Sequence, residues 1–264
     1  MGRLYSSLLV LAIAAGAAGF WYYRSGEWKP VPGAATEDVT DGDWLDRLRS
    51  QNPRVAEDAA HQVTTLGVTA LPEIQGALGD PAADPLRKKA SLKACGILGP
   101  IARPALDDVA AHLPIPDYTL EAAVALSFMG RDAFPPLRDA LASDDPIVRR
   151  ESLRSLGKLR ERAPLDPRAV VPLLLEGIAD PDPGVRVVAA TYLGILHEDA
   201  DEAVPALIAA LLDEHAEVRT ATAEALGSFG AAAEPAIPAL RKAAGDRDEN
   251  VAREAGLALV KLQK

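Results

Sequence analysis

Residues 203–227 read AVPALIAALLDEHAEVRTATAEALG, and the fold can be read outward from them. Pro205 stands two residues before Leu207. Proline belongs in the first turn of a helix, where its missing N–H costs nothing. Leu207, Leu211 and Leu212 then recur at helical spacing. Asp213 and His215 interrupt the run where a cap belongs, since a short polar side chain there accepts orphan N–H groups and suits the positive end of the helix dipole. Val218, Leu226 and Phe229 give a second helical stripe, and Leu226-Gly227 closes it. Glycine at that place permits a left-handed cap or a close helix approach. The stretch is a helix pair.

The same signals repeat along the chain. Proline followed two residues later by Leu or Ile occurs at Pro72, Pro104, Pro135, Pro172, Pro205 and Pro238, at intervals of 32, 31, 37, 33 and 33. The Asp-x-(Asp/His)-x-x-Val marker stands at Asp180–Val185, Asp213–Val218 and Asp246–Val251, and shorter copies stand at Asp145 and Asp84. Leu-Gly recurs at Gly67, Gly99, Gly157, Gly194 and Gly227. One such pair cannot bury both its faces, whereas a stack can. The expectation is an all-α chain: an α-solenoid of about seven helix pairs over 43–264. Composition agrees, because alanine and leucine are the commonest residues and aromatics are only 5%.

The segments AVPAL at 203–207, DPDPGVR at 180–186 and EVRTATAEALG at 217–227 resemble HEAT-like repeats of the phycobilisome-lyase type. The resemblance implies an α-solenoid. It does not single out an activity, because that family holds pigment lyases, a diiron hydroxylase, nucleic-acid repair proteins and plain scaffolds.

The residues themselves weigh against most of these chemistries. Net charge is −10, which opposes phosphate binding over the whole surface, so no nucleic-acid partner is expected. The diiron relative uses several His-Glu dipeptides, and only His197-Glu198 matches here. One dipeptide cannot complete a metal shell. Cys95 stands where other repeats place a packing leucine and reads as a small buried hydrophobe. No P-loop, GxGxxG or Ser/His/Asp order is present. The expectation is no catalytic, metal or cofactor residue. The function expected is a scaffold that binds a protein or peptide on the concave face of the solenoid, with a lyase-like or enzyme-accessory protein as the alternative.

Residues 4–23, LYSSLLVLAIAAGAAGFWYY, carry no charge and would span about 30 Å as a helix. Residues 1–24 therefore read as a transmembrane anchor or a signal sequence, with Ala15-Gly16-Ala17 as the cleavage candidate. The first reading gives a single-pass membrane protein with its C-terminal domain outside the cytoplasm; the second gives a secreted one. Residues 25–42, with Pro30, Pro32 and Gly33, read as a linker.

A helical wheel sorts the arginines. With Val148 at zero and about 100° per residue, Leu159 falls near 20°, Leu156 near 80° and Arg149 near 100°, on the apolar side. Arg186 and Arg219 hold the same place after Val185 and Val218. A charge there needs a partner, and the aspartates of a neighbouring loop supply one. Arg149, Arg186 and Arg219 with Asp180, Asp182 and Asp213 are thus expected to form a structural ladder, as related repeats do. Arg150, Arg154 and Lys158 fall near 200°, 240° and 280°, away from the core. Aligned on the glycines, Lys89 and Lys93 match Arg150 and Arg154, and Leu120, Val124 and Phe128 lie between the two rows in sequence. These eight residues are expected to bind an acidic amphipathic segment.

Overall fold

The computed structural model describes residues 43–162 and 165–262. Two compact units divide at Met129 and Gly130. Among the described residues there is no strand, and fourteen α-helices fall into seven pairs. The first unit holds α1 (Trp44–Leu48), α2 (Pro53–Leu66), α3 (Leu71–Gly79), α4 (Pro85–Leu98), α5 (Leu106–Ala110) and α6 (Thr119–Phe128). The second holds α7 (Phe134–Asp139), α8 (Pro146–Arg162), α9 (Pro167–Ile178), α10 (Pro183–Leu196), α11 (Ala200–Ala210), α12 (Ala216–Ser228), α13 (Ile237–Ala243) and α14 (Glu249–Leu262). Even-numbered helices are the second members of their pairs.

Aspartates cap α4, α8, α10 and α14. Asp84 Oδ1 accepts from Leu86 N, Asp145 Oδ1 from Ile147 N, and Asp182 Oδ1 from Val185 N. The repeat prolines stand in three settings, and Pro104 lies inside the 3-10 segment that precedes α5. Pro72, Pro135 and Pro238 lie in the first turn of α3, α7 and α13, each preceded by a 3-10 segment. Pro172 and Pro205 instead lie inside α9 and α11, whose helical turns begin upstream. The expectation of a first-turn proline is corrected there: the helix accepts the lost hydrogen bond in its interior.

Each unit buries one apolar seam. In the first it contains Leu45, Leu48, Ile74, Leu92 and Leu126. In the second it contains Leu137, Leu153, Leu156, Leu174, Leu193, Leu207, Leu226 and Leu240. Successive even helices pack on one another: α2, α4 and α6 in the first unit, and α8, α10, α12 and α14 in the second. Gly194 and Gly227 make this approach close. A Cβ on Gly194 would lie 2.6 Å from Ala225 Cα, and one on Gly227 would lie 3.1 Å from Ala258 Cα.

Among the described residues no helix is long and apolar enough to cross a membrane. The longest, α8, has 17 residues and so rises only about 26 Å, and it carries charge along its length. This finding corrects the expectation of a single-pass membrane protein with an external C-terminal domain. The segment 1–24 that prompted it lies outside the described residues, as does the linker reading of 25–42.

Candidate interaction surface

Three arginines of the second unit share one geometry. Arg149 Nε and Nη2 both donate to Asp180 at 2.8 Å. Arg186 donates to Asp213 at 2.7 and 3.0 Å, and Arg219 to Asp246 at 2.8 and 2.9 Å. In each case Nη1 turns back to two carbonyls of the arginine's own loop: Ser143 and Asp144, Asp180 and Pro181, Asp213 and Glu214. Each planar fork thus ties its own loop to the next one. Burial pushes the Asp180 and Asp213 carboxyls up, but the arginine and a backbone N–H outweigh it and hold both below the usual range.

Asp182 is not part of this set. Its carboxylate caps α10, so the nearer of the two loop aspartates to the helix serves the helix and the farther one serves the arginine. Asp246 supplies the third rung, beyond the three aspartates expected of the ladder. The repeated Asp-x-Asp signal at 246–248 points to it.

The eight expected partner-binding residues are divided between the units. In the first, Lys89 Nζ pairs with Glu121 at 3.3 Å. Lys93 does not face outward: its Nζ donates to Leu48 O at 2.9 Å, and burial lowers its pKa. The carbonyl at the end of α1 needs a donor, and Lys93 supplies it. Lys93 is therefore withdrawn from the binding set. Leu120 is exposed, while Val124 and Phe128 are half-buried.

In the second unit Arg150, Arg154 and Lys158 form a row on α8, each partly exposed. Sequence reasoning missed the group beneath them. Glu151 is nearly buried, with 8% of its side chain exposed. Its Oε1 accepts from Arg150 Nε at 3.0 Å and its Oε2 from Arg154 Nε at 3.2 Å. A carboxylate at 300° on the wheel, at the apolar edge between two arginines, was the available signal. The two arginines are consequently not indifferent to stability, because reversing their charges would leave Glu151 buried among like charges. Burial, then Arg162 and Arg154, pull the Lys158 pKa down. Tyr192 of α10 lies over Gly157, and burial pushes its phenol up to about 12.

Chemistry elsewhere is sparse. Among the described residues no group of three His, Cys, Asp or Glu is placed to hold a metal ion. His197 is exposed, and Cys95 is buried with its thiol pushed up to about 12 by burial and the charge of Asp108. An open groove in the second unit is lined by Ile208, Leu211, Leu212, Lys242 and Arg247, but Arg219 and Asp246 in its wall already pair with each other.

Residues 171–260 match the sequence model of the HEAT repeats family. The resemblance read from 180–227 is upheld, because those residues lie inside the match. No curated protein matches the chain. Among solved structures, the chain is similar to the CpcE–CpcF complex of phycocyanin lyase from Nostoc: 26% identity, 59% of this chain and 98% of that one, TM-score 0.49. An engineered protein is 20% identical over 83% of this chain and 95% of its own, with a TM-score of 0.42. Human deoxyhypusine hydroxylase in complex with glycerol is 20% identical over 83% of each chain, with a TM-score of 0.40.

Proposed function

We propose that this chain is a protein-interaction scaffold, and that its solvent-facing even helices hold a segment of another protein. In this reading 43–264 is the repeat domain. One observation carries it. In the second unit the motif residues of every pair are taken up by caps, ion pairs and core, while the register places that face solvent follow no motif. Those places are Arg150, Arg154 and Lys158 on α8, and Val187, Thr191 and Ile195 on α10. Thr220, Glu224 and Ser228 follow on α12, then Arg253, Leu257 and Lys261 on α14. Ile195 and Leu257 leave 46% and 49% of their surface in water without need from the fold. A constant frame with one varied, partly apolar face is how repeat stacks present binding surfaces.

Site-specific photo-crosslinking tests this. A crosslinker at Thr191 or Leu257 is expected to trap a protein partner in cells, and one at Pro172, on an odd helix, is not. Equal trapping from both sites rejects the reading. Pigment, metal or flavin retained through purification would favour an enzyme-accessory role instead.

A further inference from the structure

The row on α8 is built in a way that simple surface charge does not require. Arg150 and Arg154 are four residues apart, so their backbones are separated by about 6 Å along the helix and both side chains leave the same face. Glu151, nearly buried beside them, gives one oxygen to each Nε. A guanidinium has five N–H donors, and Nε carries only one. The Nη groups are thereby fixed in direction yet left for another acceptor, with 37% and 39% of the two side chains exposed. One shared carboxylate against two arginines and Lys158 also leaves the row net positive. In the repeat register the neighbouring places on α10 are Val187, Thr191 and Ile195, with Ile195 46% exposed.

We propose that Arg150 and Arg154, oriented by Glu151, form a carboxylate-binding fork for an acidic amphipathic helix of a partner protein. Acidic side chains at i and i+4 of that helix match the spacing of the fork, and its apolar side lies on Val187 and Ile195. Glu151 is a positioning residue. A nucleic-acid strand fits this surface less well. It would run from the fork toward Glu224, exposed at the matching place on α12, on a chain of net charge −10. The inference rests on the scaffold reading above.

The probe is a synthetic amphipathic helix with glutamates at i and i+4 beside a leucine stripe, with its glutamine twin as control. Fluorescence anisotropy on the full-length chain is expected to show the acidic peptide binding about tenfold more tightly at low salt, with the gap closing at high salt. The double variant Arg150→Lys with Arg154→Lys keeps every charge but loses the planar forks, and should weaken binding about fivefold or more. Glu151→Gln makes the surface more positive. Plain attraction predicts tighter binding from it, whereas a fork that loses its orientation binds more weakly at an unchanged melting temperature. If Glu151→Gln does not fold, the lysine pair decides alone. Unchanged affinity in the lysine pair overturns the fork, as does equal binding of the glutamine twin. So does tighter binding of a single-stranded oligonucleotide than of the acidic peptide. In each of these cases a surviving Thr191 crosslink leaves the scaffold reading standing, and loss of that crosslink removes the surface itself.

Discussion

In the second unit Arg149, Arg186 and Arg219 each offer a fork to the aspartate of the following loop; in the first unit the same register places hold Lys88 and Thr119. The difference separates two jobs that the arginine does at once. Its Nη1 satisfies the carbonyl six residues back, and its other nitrogens clamp the next loop. Thr119 keeps the first job, since its hydroxyl donates to Leu113 O, also six residues back. It has no reach for the second. The first unit is held differently. Arg87, one place earlier, reaches Asp43 at 2.7 Å, Asp46 at 3.6 Å and Glu73 at 2.8 Å, and Trp44 Nε1 donates to Glu73 as well. The regular repeats are thus stitched forward by one bidentate contact per loop. The degenerate ones are gathered around a looser, more exposed cluster.

The largest expected effect tests that contrast directly. Arg219→Ala removes a fork that is 8% exposed on an aspartate that is 15% exposed, and it orphans two loop carbonyls. Breaking such a pair should cost about 3 kcal/mol in urea unfolding. Arg87→Ala removes partners that are a third or more exposed and should cost about 1 kcal/mol. Equal costs would erase the distinction. Acid sharpens it. The hydrogen bonds of Arg219, then the Asp248 N–H, hold the Asp246 carboxyl below its ordinary 3.8. A carboxyl with a depressed folded pKa stabilises above the unfolded value and loses that contribution as pH falls through the folded one. The gap between the native chain and Arg219→Ala should therefore be full above pH 3.8 and shrink below it. A gap that widens in acid would place the stabilisation elsewhere.

How much of this was legible follows the same division. The repeat period, the caps and the Arg–Asp motif are local patterns, so residues 171–260 could be read directly. Lys93 could not, because its acceptor is 45 residues away in α1, a helix with no proline marker. Glu151 was hidden by its neighbours: a wheel shows where a side chain points, not that two arginines fold down onto one carboxylate. The glycines mixed two jobs under one signal. Gly157, Gly194 and Gly227 lie within helices and admit a neighbour, while Gly67 and Gly99 end helices at φ 55 and 58.

The next effect follows from that second reading of glycine. At Gly194 a new Cβ meets the Ala225 backbone at 2.6 Å and its Cβ at 2.8 Å. Backbone cannot swing aside as a flexible side chain would. Gly194→Ala should cost about 2 kcal/mol, measured by thermal unfolding. A neutral result would mean that α10 and α12 slide apart freely.

A smaller effect of opposite sign belongs to His197. It ends α10 at φ 38, three residues after Gly194, and Asp199 follows at φ 48. The equivalent places in other pairs hold Gly99 and Gly230, both at positive φ. A side chain in the left-handed region is strained, and glycine is not. His197→Gly should stabilise the chain by about 1 kcal/mol, because the gain exceeds the loss of the histidine's contact with Ile195 O. Destabilisation would show that this turn needs its imidazole.

The smallest effect returns to the first unit and sets it against the second at one position. Gly96 holds the register place of Gly194, and an alanine faces each of them: Ala125 and Ala225. A Cβ on Gly96 would lie 3.5 Å from Ala125 Cα and 4.0 Å from both Ala125 Cβ and the Phe128 ring. These are ordinary contacts, so alanine fits without displacing α6. Glycine inside a helix is otherwise a liability of up to about 1 kcal/mol against alanine. Gly96→Ala should therefore stabilise by about 0.5 kcal/mol, the opposite sign to Gly194→Ala. The sign is set by the space between the facing helices, not by the residue pair, which is the same in both units. If both substitutions destabilise alike, α4 and α6 pack as tightly as α10 and α12, and the contrast between the units at this position fails.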